Sequence, residues 1–279
     1  MKIKIVIPSK VYPTDINIGM ALRLKKCVSG FDDCTLVESS EDVVHIFGKW
    51  DIWTSRQIVR YSSRGIPVVY SGIDGNASLY NHNGKFTYNP VTRYSLQKVA
   101  KSGAVIQVGG NIEFEALRHI AHDAISRIIY NPDTTSLTDN TQMVSQFVQL
   151  YNEAIRTTDI KIRTNIGHTV KKHIEKELCC DETEYSKIVD LCSRILYMRH
   201  LYVKGAIPQQ FLNDTAAIMT QYNYNERLFA KVINRLHATS FASHAMGCLN
   251  EAASLTEGFM PIKASYGKTA DKMLMTIVQ

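Results

Sequence analysis

The stretch Asp42-Val-Val-His-Ile-Phe-Gly-Lys-Trp50, followed by Ile66-Pro-Val-Val-Tyr-Ser-Gly-Ile-Asp-Gly75, limits what this chain can fold into more than any other. The first half is an apolar run, Val43 to Phe47, stopped by Gly48. The second repeats the pattern: Val68 to Tyr70 runs into a turn rich in glycine. Between them, Trp53, Ile58, Val59 and Tyr61 mark a helix that ends at Gly65. Two apolar strands joined by a helix make a βαβ unit, and a parallel sheet places both strand C-termini on one edge. Ligands of open α/β sheets bind at that edge, which puts His45, Gly48, Gly72, Asp74 and Gly75 at or near it.

The rest of the first half continues the alternation. A strand is expected over residues 2–8, a short helix from Met20 to about Gly30, and strands at 34–37, 104–108 and 128–130. Helices are expected at 93–101 and 112–121, and residues 72–90 read as a long loop. A loop of that length in a compact domain is more often functional than idle. After Pro132 the strand patterns stop. Helices are expected near 141–155, 162–178, 183–203, 208–221, 225–237 and 240–255, with Asp181 and Glu184 spaced as a capping box. Gly258 reads as a helix stop, and the last twenty or so residues as extended, closing on the apolar piece 273–278. The fold class is therefore α/β: a doubly wound, mostly parallel sheet followed by a separate all-helical domain. The expected domains are residues 1–158 and 159–279.

Composition narrows the function. The net charge is +6, and 45% of the 279 residues are hydrophobic, enough for a sizeable core. The charge fits a weak preference for anions (phosphate, a sugar nucleotide, an acidic membrane surface). It lacks the dense basic patch of a dedicated nucleic-acid binder. The cysteines Cys27, Cys34, Cys179, Cys180, Cys192 and Cys248 form no Cys-x-x-Cys pair. They read as reduced thiols of a cytoplasmic protein. No apolar run reaches the roughly 18 residues a membrane span needs, so no transmembrane segment is expected. No Walker loop, His-Glu-x-x-His, Gly-x-Ser-x-Gly or spaced Gly-x-Gly-x-x-Gly is present, which counts against ATPase, zinc hydrolase, serine hydrolase and dehydrogenase readings. His119 and His122 stand three apart with no third ligand in view; neither metal nor cofactor is expected.

Four segments, taken in order, resemble the N-terminal half of GT-B glycosyltransferases of the glycogen-synthase-like, family-4 kind. Residues 42–50 are similar to that family's DVVHIHGLW. Residues 64–75 are similar to GIPVVVTPHG, residues 96–108 to LKKADAVIAVS, and Arg127-Ile-Ile-Tyr-Asn-Pro132 to the strand and turn that lead into the family's second domain. The resemblance covers residues 1–156. It implies a Rossmann-type acceptor-side domain, with transfer of sugar from a nucleotide-sugar to a glycan acceptor. It also implies that the usual donor domain is missing, because residues 141–156 resemble the closing helix that in the family follows that domain. The alternative is a catalytically degenerate half, serving as an interaction or regulatory subunit of a partner transferase.

The candidate site follows from that edge. Where the family has a histidine beside the acceptor, this chain has Ile73-Asp74-Gly75. Asp74 has two readings, a general base for a sugar hydroxyl and an ordinary Asp-Gly turn residue. Gly19 lets an anion approach the first helix start or is simply a helix-start glycine. His45 is a substrate contact or a packed, hydrogen-bonded histidine. Trp50 and Trp53 stack on a sugar ring or plug the core. Glu113, after Gly109-Gly110, binds substrate or holds the helix start. With Gly48, Gly72 and Gly75, the candidate substrate-binding set is Gly19, His45, Gly48, Trp50, Gly72, Gly75 and Glu113, with Asp74 as the catalytic candidate.

Overall fold

The computed structural model describes residues 1–7, 18–31, 34–49, 51–72, 90–129, 137–175 and 181–278. They divide into two compact units, Met1–Lys161 and Ile162–Gln279.

In the first unit, six strands form one parallel sheet. They are β1 (Lys2–Val6), β2 (Thr35–Leu36), β3 (Val43–Gly48), β4 (Val68–Gly72), β5 (Val105–Val108) and β6 (Ile125–Ile128), in the order β2-β1-β3-β4-β5-β6. Every residue of β3, β4 and β5 is buried, as expected of central parallel strands covered on both faces. Side-chain alternation sorts β3 between two apolar clusters. Val43 and Phe47 join one with Met20 and Leu24 of α1 (Ile18–Cys27) and Phe147 and Tyr151 of α5 (Leu137–Ile174). Val44 and Ile46 join the other, with Ile58 of α2 (Ile52–Ser63), Leu96 of α3 (Pro90–Ser102) and Leu117 of α4 (Asn111–Ile120). Burying a side chain such as Phe47 contributes roughly 2–3 kcal/mol. The start of α2 is fixed by Asp51, whose carboxylate accepts from the Thr54 amide at 2.7 Å.

In the second unit, α6 (Glu182–Lys204), α7 (Gln209–Gln221), α8 (Glu226–Arg235), α9 (Thr239–Ala253) and α10 (Lys268–Met275) share one core with the end of α5. The expected cap at Asp181 is present: its carboxylate accepts from the Glu184 amide at 2.7 Å.

Five expectations are corrected here. The last strand of the large sheet is residues 125–128 rather than 128–130. The edge strand β6 holds polar Ser126 and Arg127 side by side between its two isoleucines, and Arg127 pairs with Glu153, so it lacks the apolar run that marks the central strands. The two helices expected around residue 158 are one continuous α5, because Thr157 and Thr158 lower helix propensity by only about 0.6 kcal/mol each. Strands do not stop after residue 132: β7 (Ile207–Pro208) and β8 (Ile277–Val278) pair in parallel. The tail is not extended throughout, since α10 buries Ala270 and Met273. Gly258 lies in a short 3-10 turn, and α9 ends at Ser254 in a left-handed conformation.

Candidate functional site

The strand order fixes where a ligand crevice is expected. From β1 the chain crosses to β2 on one side and returns to β3 on the other. The connections after β1 and β3 therefore leave the sheet in opposite directions, and the gap between their C-terminal ends is the usual binding crevice of open α/β sheets.

Two candidate glycines meet at this edge. Gly48 and Gly72 are register partners at the ends of β3 and β4. The Gly48 carbonyl accepts from the Tyr70 hydroxyl at 3.0 Å, tying the two strand ends together. A Cβ on Gly48 would stand 2.8 Å from Thr54 Oγ1 and 2.9 Å from Thr54 Cγ2, closer than atoms pack. A side chain at position 48 would force Thr54 to turn or the start of α2 to shift. Gly19 lies in the first turn of α1, the helix that follows β1, and a Cβ added there would meet the Arg23 guanidinium at 3.9 Å. Trp50, Asp74 and Gly75 lie outside the described residues.

Glu113 is held at the next strand end. Its carboxylate accepts from the Gly109 amide at 2.6 Å, which braces the turn between β5 and α4. It stands in the first turn of α4, where a negative charge also favours the helix dipole.

His45 lies deeper, fully buried between strand and helix. Its Nδ1 is 2.8 Å from the Tyr151 hydroxyl on α5, and its Nε2 is 2.8 Å from Ser71 Oγ on β4. The ring stacks on Phe47 with centroids 4.1 Å apart. Burial holds its pKa down to about 3, so the ring is neutral at ordinary pH. A neutral imidazole has one donor and one acceptor, and the two hydroxyls use both. The same burial pushes the Tyr151 phenol well above its usual value. The three groups form a buried polar link joining β3, β4 and α5.

The sequence reading missed Ser71, Tyr151 and Thr54. Ser71 stands two residues after Val69 on a strand and so shares its face, a signal that was readable. Tyr151 is 106 residues from His45, and no local pattern announces that pairing. Also missed was Lys161, whose ammonium donates to the Lys101 carbonyl in the last turn of α3, at 2.5 Å; partial burial lowers its pKa. Trp53 is 75% exposed, so it does not plug the core. Among the described residues, no three His, Cys, Asp or Glu side chains gather as a metal site would need. The free cysteines among them are Cys27, Cys34, Cys192 and Cys248. No helix there is long and apolar enough to cross a membrane.

The described residues of the first unit thus form a parallel α/β sheet with helices. No family model, no curated protein and no solved structure significantly matches the chain.

Proposed function

We propose that the chain is a glycosyltransferase-like protein, with residues 1–158 as its doubly wound, Rossmann-type acceptor half and residues 159–279 as a helical domain. The edge between β1 and β3 holds a glycan acceptor against Gly19, Gly48 and Gly72. Asp74 acts as general base, and a nucleotide-sugar supplies the sugar. The observation that carries this reading is the strand order, with its switch between β1 and β3, together with Gly48 and Gly72 side by side at the ends of the neighbouring pair β3 and β4. Two glycines at adjacent strand ends leave backbone, rather than side chains, facing the ligand. The four family-like segments support it as well, since they run along β3, β4, the α3–β5 pair and the end of β6.

A second reading is favoured by one observation: the described residues of Ile162–Gln279 form helices and a two-stranded sheet, not a second large parallel sheet. The GT-B donor site is built on such a sheet. On this reading the chain is a degenerate half that serves a partner transferase as an interaction or regulatory subunit, in the cytoplasm.

Calorimetry of the folded chain against UDP-sugars, GDP-sugars and glycan acceptors separates the two. Saturable binding, with sugar transfer by the purified chain, is expected on the first reading. No binding across that panel sinks it, and copurification with a transferase then points to the second.

A further inference from the structure

The outer surface of α2 and α3 begins beside the sheet edge, at Ile52 and Trp53, and runs away from it along both helices. α2 and α3 lie side by side on one face of the sheet, and neither contains an aspartate or glutamate. Arg56, Arg60 and Arg64 stand exposed on one side, and Arg93, Lys98 and Lys101 on the other. The acidic residue next to α2 in sequence, Asp51, caps the helix by accepting from the Thr54 amide. Six cations over two neighbouring helices stand out in a chain whose whole net charge is +6.

Between the helices runs a groove of about 520 Å³. Ile52 and Val59 give it an apolar lining, while Arg56, Arg60, Tyr94 and Lys98 border it. Large apolar side chains also stand out from this surface: Trp53 is 75% exposed, Tyr94 60% and Ile52 44%. Both rings already carry a cation. Arg56 lies over Trp53 at 5.5 Å and Lys98 over Tyr94 at 4.7 Å.

We propose that the α2/α3 face docks on an anionic lipid bilayer. The cations meet the phosphates, Trp53, Tyr94 and Ile52 enter the interfacial layer, and the groove takes acyl or glycerol segments. Charge complementarity sets the sign of the partner, and the exposed aromatic and aliphatic groups set its amphipathic character. Trp and Tyr favour the level of the lipid headgroups, where one part of the ring is apolar and the other wet. A basic face with apolar projections is the general form of a protein that lies on a membrane without crossing it. Single-stranded nucleic acid fits less well. It needs free aromatic faces for base stacking, whereas here each ring has a face covered by a cation. This surface does not depend on what the sheet edge binds.

The test is flotation of the full chain with vesicles of phosphatidylcholine alone and of phosphatidylcholine mixed with phosphatidylglycerol. Binding is expected only to the mixed vesicles, and it should weaken as salt rises. Each cation near such a surface contributes on the order of fivefold, so combining Arg56→Gln, Arg60→Gln and Lys98→Gln should cut partitioning by about 100-fold. These side chains are exposed, and unchanged melting of the variant verifies its fold. Trp53→Ala, with every charge kept, should weaken binding several-fold. Lys171→Gln with Lys172→Gln, on exposed α5 positions elsewhere, should leave it unchanged. Equal binding to both vesicle types, an unaffected triple variant, or binding of a single-stranded oligonucleotide in place of vesicles would each overturn the proposal.

Discussion

Taking the pH from about 6.5 to about 4.5 should remove on the order of 2–3 kcal/mol of stability through His45 alone. The imidazole has a pKa held down to about 3 in the folded chain, against 6.5 when exposed. Between those values the unfolded chain binds a proton that the folded chain refuses. Stability is therefore complete above pH 6.5 and falls as the pH drops towards 3, by about 1.4 kcal/mol per pH unit. The physical cause is burial: a charged ring would have to exist among Phe47, Phe147 and Tyr151 with no carboxylate bonded to it. His45→Gln keeps a neutral polar group but cannot titrate. It should be less stable than the parent at pH 7, because the ring stacking is lost, yet its stability should fall less steeply between pH 6.5 and 4.5. Urea melts across that range read both slopes, and carboxylates elsewhere cancel in the comparison. Parallel slopes would mean that His45 titrates normally and is not buried as described.

Gly247→Ala should destabilise the helical unit by roughly 2–3 kcal/mol, against the direction that helix propensity gives. Alanine within a helix is favoured over glycine by about 1 kcal/mol. At position 247, in the body of α9, an added Cβ would lie 2.7 Å from the Ser265 carbonyl oxygen. That oxygen is backbone and cannot swing aside. The segment holding it is tied to α9 by Ser265 N donating to the Ser243 carbonyl at 2.9 Å and Ser243 Oγ donating to the Lys263 carbonyl at 2.6 Å. Relieving the clash costs those bonds, and overpacking wins over propensity. Gly167, within α5, gives the opposite sign. Beyond the backbone of its own helix, nothing lies within 4 Å of its added Cβ, so Gly167→Ala should stabilise by about 0.5–1 kcal/mol. Thermal melts of the two variants should therefore move in opposite directions. A Gly247→Ala chain as stable as the parent would show that the close approach is not real.

What the sequence revealed follows from how far each signal reaches along the chain. β3 and β4 were legible because fully buried parallel strands appear as unbroken apolar runs, and Gly48 and Gly72 end both runs. Asp181 was legible because a helix cap acts over three residues. β7 and β8 were not, since Ile207 and Ile277 are 70 residues apart and each strand has only two residues. Gly247 looked like any glycine in a helix, because the carbonyl that requires it comes from a different segment. The basic α2/α3 face was hidden for a related reason. Residues 52–64 and 90–102 both lack acids, but the pattern has meaning only once the helices lie side by side. Of the site, Gly48, Gly72 and the bracing role of Glu113 were within reach of local reading. The Tyr151 partner of His45, which turns that histidine into a structural link, was not.

The central claim is that the edge at the ends of β1, β3 and β4 receives the ligand. Amide hydrogen exchange of the full chain, with and without saturating UDP-sugar or GDP-sugar and glycan acceptor, tests it directly. Slower exchange is expected at Gly48, Lys49, Gly72 and the Gly109-Gly110 turn, with α6 to α9 unchanged. Protection confined to the helical unit, or none at the strand ends, would contradict it.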